Sequence, residues 1–308
     1  MTPAAPPDLA VRVGTVSLKN PVLSASGTFG YGLEFAPFYD ISRLGAVIVK
    51  GLSLLPSPGN APQRIVETAA GMLNAIGLQN IGVERFVAEV APRLEEAGAV
   101  FVANIYGRTV DEYEAVARRL SDLPALAAIE LNASCPNVKE GGILFGSSPH
   151  GLSGLTRRVR AATAKPLWVK LSPNVADIGS MARSAEDAGA DAVSLINTIV
   201  GMAVDHKTRR PRLANVTGGL SGPAIKPVAL RMVWEACRAV KIPVIGIGGI
   251  QTAEDALEFL LVGAAAVQVG TANFRNPNAC VEIIDGIRDF LVREKISRLE
   301  EYRGGLLS

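Results

Sequence analysis

Short apolar segments alternate with longer amphipathic segments along almost the whole chain. The apolar segments have the length of buried strands, and between them apolar residues recur every three to four positions, which is typical of helices. The eight predicted strands are 21–25, 46–50, 100–105, 126–131, 166–171, 192–196, 243–246 and 266–269. The predicted helices are 81–97, 111–120, 151–163, 175–188, 223–240 and 253–261. This repetition predicts an α/β fold, a single (β/α)₈ TIM barrel over residues 1–308.

Three further segments complete the predicted barrel. Residues 11–18 alternate apolar and polar side chains, which predicts a β-hairpin that closes the bottom of the barrel. Residues 51–80 and 198–222 are much longer than ordinary connections and follow the carboxyl ends of strands. We expect these long loops to lie over the C-terminal face and to form binding walls there.

Composition excludes several classes of function. The chain has 308 residues, 48% of them hydrophobic, and a net charge of +2, so it can bury a large core and carries no basic footprint for nucleic acid. Its three cysteines have no CxxC spacing, which argues against a metal site and a disulfide framework. No apolar run approaches the length of a membrane span. We expect a cytoplasmic protein with a small-molecule ligand.

Polar residues mark the ends of the predicted strands, and in a barrel these ends converge on one mouth. They are Ser24, Lys50 with Gly51, Asn104, Asn132 followed by Cys135, Lys170, Asn197 with Thr198, Gly248 with Gly249, and Gly270 with Thr271. Amides, two lysines and glycine-opened backbone predict a pocket for a flat polar ligand that bears a phosphate.

The phosphate prediction rests on the glycines after the last two strands, where exposed backbone N–H groups and a helix N-terminus favour an anion. Glycines that serve tight turns alone are the alternative. Lys50 and Lys170 end apolar strands, where burying an ammonium is costly unless it faces an anionic ligand or the electron-rich end of a cofactor ring. A solvated strand end or an internal salt bridge is the alternative for each lysine.

A cysteine thiol follows the fourth predicted strand. Cys135 can take or give a proton there, because a free thiol has a pKa of about 8.5 and modest help from cations supplies thiolate near neutral pH. A small buried side chain is the alternative. Cys237 and Cys280 lie in predicted helical regions, where packing explains them better.

Six stretches around the predicted mouth carry a family resemblance. They are 24–30, 74–80, 132–137, 169–174, 218–224 and 270–274. Together they resemble the class 1 dihydroorotate dehydrogenases, and the resemblance extends from Leu9 to about Phe290. It implies FMN-dependent oxidation of dihydroorotate to orotate in pyrimidine biosynthesis. Cys135 would be the base that removes the C5 proton while the C6 hydride passes to flavin N5.

The resemblance also implies the contacts of both ligands. The FMN contacts would be Ser24, Lys50, Gly51, Asn104, Asn132, Lys170, Ile196, Gly222, Gly248, Gly249, Gly270 and Thr271. The substrate contacts would be Lys50, Asn74, Ala75, Ile76, Gly77, Leu78, Asn132, Asn197 and Thr198.

Residues 135–142 and 197–202 resemble the NAD-linked subclass more closely than the fumarate-reducing one. This implies a homodimer within a heterotetramer, in which an electron-transfer subunit with FAD and a [2Fe–2S] cluster passes electrons to NAD⁺. Three cysteines cannot supply the four ligands of a ferredoxin-like cluster, so the cluster must belong to the partner.

Other functions remain open on the residues alone. Within the flavin enzymes, the alternatives are the fumarate-linked subclass and a related barrel that acts on another dihydropyrimidine. A non-redox lyase or isomerase that holds a sugar phosphate, or a phosphate-binding module without catalysis, would use the same glycines. Detection of a bound flavin, and of its reduction by dihydroorotate, would separate these hypotheses.

Overall fold

Eight parallel strands form a closed barrel. The structure, a computed structural model, describes the backbone of residues 6–134, 139–140 and 143–307, and side chains within 6–134 and 145–307. The barrel strands are Val22–Ser24, Val47–Leu52, Phe101–Ile105, Ala128–Asn132, Leu167–Lys170, Ala192–Leu195, Val244–Ile247 and Ala266–Val269. Neighbours in sequence are neighbours in the sheet, and the amide of Ser24 closes the circle by donating to the carbonyl of Ala46 at 3.2 Å. The predicted barrel is confirmed.

Helices surround the barrel, and side-chain caps mark the first residues of four long ones. The α-helices are Val83–Arg85, Ala91–Glu96, Val110–Ser121, Pro149–Ala162, Ile178–Asp187, Lys226–Ala239, Ala253–Leu261, Ala272–Arg275, Ala279–Arg293 and Leu299–Tyr302. Short 3₁₀ turns occur at Leu33–Phe35, Ile41–Arg43, Phe145–Ser147 and Pro223–Ile225. Four long helices begin after a side chain that accepts a hydrogen bond from the first turn, namely Thr109, Ser148, Asp177 and Thr252.

The predicted helix 81–97 is divided. A wide π-helical segment, Phe86–Val90, separates its two α-helical pieces. Pro92, the second residue after this segment, has no N–H to donate, so a regular α-helical hydrogen bond cannot form there.

Side chains of the barrel strands alternate between two apolar layers. Outward residues such as Ile129 and Leu131 pack under the helices, whereas inward residues such as Val102 and Trp168 fill the lower barrel. The predicted hairpin forms from Val11–Val13 and Val16–Leu18, and its apolar side chains join the inner layer. The bottom of the barrel is therefore closed by apolar side chains.

The two long connections are not loops throughout. They fold together into one antiparallel sheet, which we call the insertion sheet, with strands Ile65–Thr68, Gly71–Asn74, Ile199–Met202 and Thr217–Ser221. Val66, Leu73 and Leu213 form a small apolar cluster against it. Strand pairs Val204–Asp205 with Arg210–Pro211, and Lys139–Glu140 with Ile143–Leu144, complete the structure.

Candidate active site at the barrel mouth

A polar layer lies above the apolar floor of the barrel. On five of the eight strands it begins two residues after an apolar inward residue, as in the pairs Val102 and Asn104, or Trp168 and Lys170. Such spacing places both members of a pair on the inner face of the strand. The buried polar residues of this layer are Asn104, Glu130, Asn132, Lys170, Ser194 and Gln268.

Glu130 is the centre of this layer. Its side chain is fully buried, and its carboxylate accepts hydrogen bonds from Asn104 Nδ2 at 2.7 Å, Ser194 Oγ at 2.8 Å and Gln268 Nε2 at 2.6 Å. Lys170 Nζ lies 3.7 Å from Oε1 as an ion pair. Three donors and a cation fit an ionised carboxylate, which only accepts hydrogen bonds.

The two predicted lysines have different surroundings. Lys170 is 5% exposed, and its Nζ also donates to Ser26 Oγ at 3.2 Å, so the salt-bridge interpretation holds for part of its environment. Lys50 is partly buried, and burial lowers the pKa of its ammonium, with the cation Arg64 as a second cause. No carboxylate in the described part of the chain pairs with Lys50, so a buried positive charge faces the mouth without an anion.

Two predicted substrate asparagines meet above the fourth strand. Asn197 Nδ2 donates to Asn132 Oδ1 at 3.3 Å, and Asn197 Oδ1 accepts from the amide of Thr198 at 2.8 Å. The chain then leaves the strand through Ser134, whose amide donates to Asn132 Oδ1 at 3.2 Å and whose hydroxyl donates to the carbonyl of Lys170 at 3.2 Å. Cys135, the predicted base, lies outside the described residues.

Four backbone amides follow the ends of the last two strands, which are neighbours in the sheet. Gly248 and Gly249 have φ of 129° and 76°, which other residues rarely adopt. Within the described part of the chain, the amides of Gly248, Gly249, Gly270 and Thr271 donate no hydrogen bond. Thr271 Oγ1 donates to Ser221 Oγ at 2.8 Å, which joins the insertion sheet to this end of the barrel.

Predicted residues Ile196 and Gly222 lie beside these amides. Ile196 is buried, and its Cγ1 would be 3.4 Å from a Cβ on Gly248. Gly222 directly follows Ser221 and has a φ of 97°. Gly51 lies on the second strand, where a Cβ would be 2.8 Å from Asn104 Oδ1, so this glycine allows the amide to approach the backbone.

Ser24 is the predicted contact that the structure supports least. Its hydroxyl is fully buried and accepts a hydrogen bond from the backbone amide of Ile48 at 3.0 Å, so the side chain already has a partner within the barrel wall. Leu23, its neighbour, is the residue of this strand that joins the inner apolar layer. A flavin contact by Ser24 stays a prediction.

The predicted substrate segment 74–78 belongs to the insertion sheet and its following turn. Asn74 Nδ2 donates to the carbonyl of Gly219 at 3.3 Å, and a Cβ on Gly219 would lie 2.1 Å from Thr198 Oγ1. Asn74 and Thr198, far apart in sequence, thus meet at one glycine. Ala75, Ile76 and Gly77 continue to Leu78, whose carbonyl accepts from Tyr106 Oη at 2.8 Å.

The comparisons with known proteins agree with this geometry. A family model described as dihydroorotate dehydrogenase matches residues 8–291. The chain belongs to the dihydroorotate dehydrogenase family. A relative from Geotalea uraniireducens, named dihydroorotate dehydrogenase B (NAD(+)), catalytic subunit, is 56% identical over 302 residues and covers 98% of this chain and 99% of its own. A relative of the same name from Pelobacter propionicus is 56% identical over 300 residues, 97% of this chain and 99% of its own.

Fold comparison agrees as well. The solved structure of the Eimeria tenella dihydroorotate dehydrogenase, in complex with ferulenol, superposes with a TM-score of 0.80 at 22% identity and covers 99% of this chain and 90% of that one. At this identity the likeness shows the fold alone. The predicted family, its NAD-linked subclass and the barrel are confirmed. Dihydroorotate dehydrogenases are flavoenzymes. Among the described residues, no helix combines the length and the apolar character that a membrane span requires.

Sequence reasoning missed several polar residues at the barrel mouth. Glu130 and Gln268 each lie between two apolar neighbours, so each was treated as part of an apolar strand and not as a site residue. A signal was present, since a charged or amide side chain at an inward position of a barrel strand must find partners inside. Ser26, Tyr106 and Asn80 lie outside the barrel strands without such a pattern, and only their contacts identify them.

The other two cysteines are unsuited to chemistry at this site. Cys280 is fully buried and Cys237 partly so, and burial raises the pKa of each thiol to about 12. Thiolate is therefore scarce at both near neutral pH.

Proposed function

We propose that this chain holds FMN at the barrel mouth, oxidises dihydroorotate to orotate, and passes the electrons through a partner subunit to NAD⁺. The observation that carries the proposal is Lys50, a partly buried ammonium at the mouth with no carboxylate partner among the described residues. Such a group costs free energy until an anion arrives, and dihydroorotate carries a carboxylate.

The residues present fit FMN. The unused amides of Gly248, Gly249, Gly270 and Thr271 can receive a phosphate at one end of the mouth. Lys170, with Asn104 beside Gly51, offers a cation and an amide for the polar edge of the ring. FMN, once bound, supplies the hydride acceptor, and the chemistry of that acceptor belongs to the cofactor.

The substrate side is formed by amides. Orotate presents alternating carbonyl and N–H groups, and each asparagine side chain offers both a donor and an acceptor. Asn132 and Asn197 already contact each other, while Asn74 approaches from the insertion sheet. We assign Asn74, Ala75, Ile76, Gly77, Leu78, Asn132, Asn197 and Thr198 to orienting the ring, with Lys50 on its carboxylate.

Cys135 is assigned the proton transfer. As thiolate it would accept the C5 proton of dihydroorotate, and as thiol it would leave that proton to solvent afterwards. The residue before it, Ser134, is anchored to Asn132 and Lys170, which supports a thiol close to the substrate amides.

The partner subunit would carry FAD and a [2Fe–2S] cluster. Two observations support this partner. The relatives are named catalytic subunits, and the three cysteines of this chain are too few for a four-thiolate cluster. We propose two copies of this chain and two of the partner in the assembly.

The test is a substrate and acceptor panel on the FMN-loaded chain, made with and without the partner. Dihydroorotate bleaches the flavin anaerobically, whereas dihydrouracil does not, and NAD⁺ is reduced only when the partner is present. Bleaching by dihydrouracil alone would assign a different dihydropyrimidine. Turnover with fumarate but never with NAD⁺ would assign the fumarate-linked reaction.

A further inference from the structure

The carboxylate of Glu130 lies near the barrel axis. Its own strand, Ala128–Asn132, and the strand of Gln268 lie on opposite sides of the eight-stranded barrel, yet the two side chains are 2.6 Å apart. Ser194, two strands away, also reaches the same oxygen at 2.8 Å. A buried negative charge is thus fixed centrally, beneath the mouth.

Lys170 is the cation in contact with this charge. Its Nζ is 3.7 Å from Glu130 Oε1 and 3.2 Å from Ser26 Oγ. An ammonium has three donors, and Ser26 is the one hydrogen-bond acceptor that it reaches among the described residues. Lys170 therefore keeps donor capacity for a ligand while Glu130 compensates its charge.

We propose that Glu130 is a positioning residue that holds Lys170 and sets the net charge under the flavin, and through that charge the reduction potential of the bound FMN. The proposal rests on the FMN site of the proposed function. Reduction adds electron density to the ring, which a nearby cation favours and a nearby anion opposes. In a water-poor interior both influences are stronger than in solvent.

Two substitutions shift the potential in opposite directions. Glu130→Gln keeps the size of the side chain but removes the negative charge, so the midpoint potential of bound FMN becomes more positive than in the wild type. Ser194→Ala removes a hydrogen-bond donor to the carboxylate of Glu130. The negative charge of Glu130 is then less dispersed, and the midpoint potential of bound FMN becomes more negative.

Trp168→Phe is the matched control, because the indole is fully buried in the same barrel interior and its N–H makes no hydrogen bond in the described chain. It leaves the potential at the wild-type value.

The measurement is anaerobic dye-equilibrium titration of each FMN-loaded chain without substrate or partner. An unshifted or more negative potential in Glu130→Gln, or a shift of the same sign in both variants, overturns the proposal. If Glu130→Gln fails to hold FMN, the sign of the Ser194→Ala shift decides. If neither variant holds FMN, the role of Glu130 is assembly of the site and the proposal is wrong.

The titration also separates this proposal from the proposed function. A wild-type chain that binds no FMN ends both. A wild-type chain that dihydroorotate bleaches, with variants of unchanged potential, ends only the assignment of Glu130.

Discussion

Lys50 is held partly buried at the mouth, and burial lowers the pKa of its ammonium, with Arg64 as a further cause. Between the lowered pKa and the usual one, the unfolded chain binds more protons than the folded chain, so stability rises with pH in that window. Below the window the folded protein carries the full cost of the unpaired charge. The residue is thus unfavourable for the ligand-free fold and useful once an anion binds.

Substitution Lys50→Met should stabilise the FMN-free protein while abolishing substrate binding. We expect a gain of about 1 kcal/mol in the free energy of unfolding near neutral pH, because an uncompensated buried polar group is removed. The gain should shrink as pH rises toward the usual lysine pKa, since wild-type Lys50 then loses its charge. Denaturant unfolding across pH measures it, and a loss of stability at neutral pH would show that Lys50 already has a partner.

The proton transfer predicts a different outcome at Cys135. Cys135→Ala should keep FMN but slow flavin reduction by about a hundredfold or more, which is typical for the loss of a general base. Stopped-flow reduction by dihydroorotate measures this rate, with Cys280→Ala as the control because that thiol is buried and its pKa is raised to about 12. Near-normal reduction in Cys135→Ala would remove the residue from this role.

At the scale of elements, the insertion sheet brings proposed substrate residues from two distant segments to one place. Gly219 is its contact point, since Asn74 donates to the Gly219 carbonyl and Thr198 Oγ1 would lie 2.1 Å from an added Cβ. The sequence did not reveal this sheet, because glycine occurs in three of its four strands and the pairing of Gly71–Asn74 with Thr217–Ser221 joins segments more than a hundred residues apart. The length of the two connections and the family resemblance of 74–80 and 218–224 indicated their importance.

Substitution Gly219→Ala should therefore displace Thr198 and weaken substrate binding. Overpacking of this kind costs about 1–3 kcal/mol. Since a loss of 1.4 kcal/mol lowers affinity about tenfold, we expect the KM for dihydroorotate to rise about tenfold while FMN binding is retained.

Gly154→Ala is the matched control, because its added Cβ meets nothing within 4 Å on the helix Pro149–Ala162. The control should leave KM unchanged and raise stability by up to about 1 kcal/mol. An unchanged KM in Gly219→Ala would place the substrate elsewhere.

At the scale of the whole molecule, the barrel followed from the sequence because each strand is a distinct apolar run and helices occupy the intervals. The division of helix 81–97 did not follow, because apolar periodicity does not register the missing N–H of Pro92. Half of the polar layer was also not predicted, namely Glu130, Ser194 and Gln268. These three residues come from separate strands and meet only when the barrel closes.

The site was predicted unevenly for the same reason. Residues at strand ends, such as Lys50 and Asn132, were found because barrel geometry gives strand ends a known destination. Ser26 and Ser221 were not singled out, because they act through contacts that no local pattern encodes. Family resemblance supplied segment 74–78, for which the strand pattern gave no assignment.

The most direct test of the whole account is an anaerobic single-turnover reaction of the FMN-loaded chain with one equivalent of dihydroorotate. Flavin absorbance and orotate are followed together. The account predicts that one flavin is bleached for each orotate formed, with both changes at the same rate. Orotate formed without bleaching, or a flavin that stays oxidised in the presence of dihydroorotate, would contradict it.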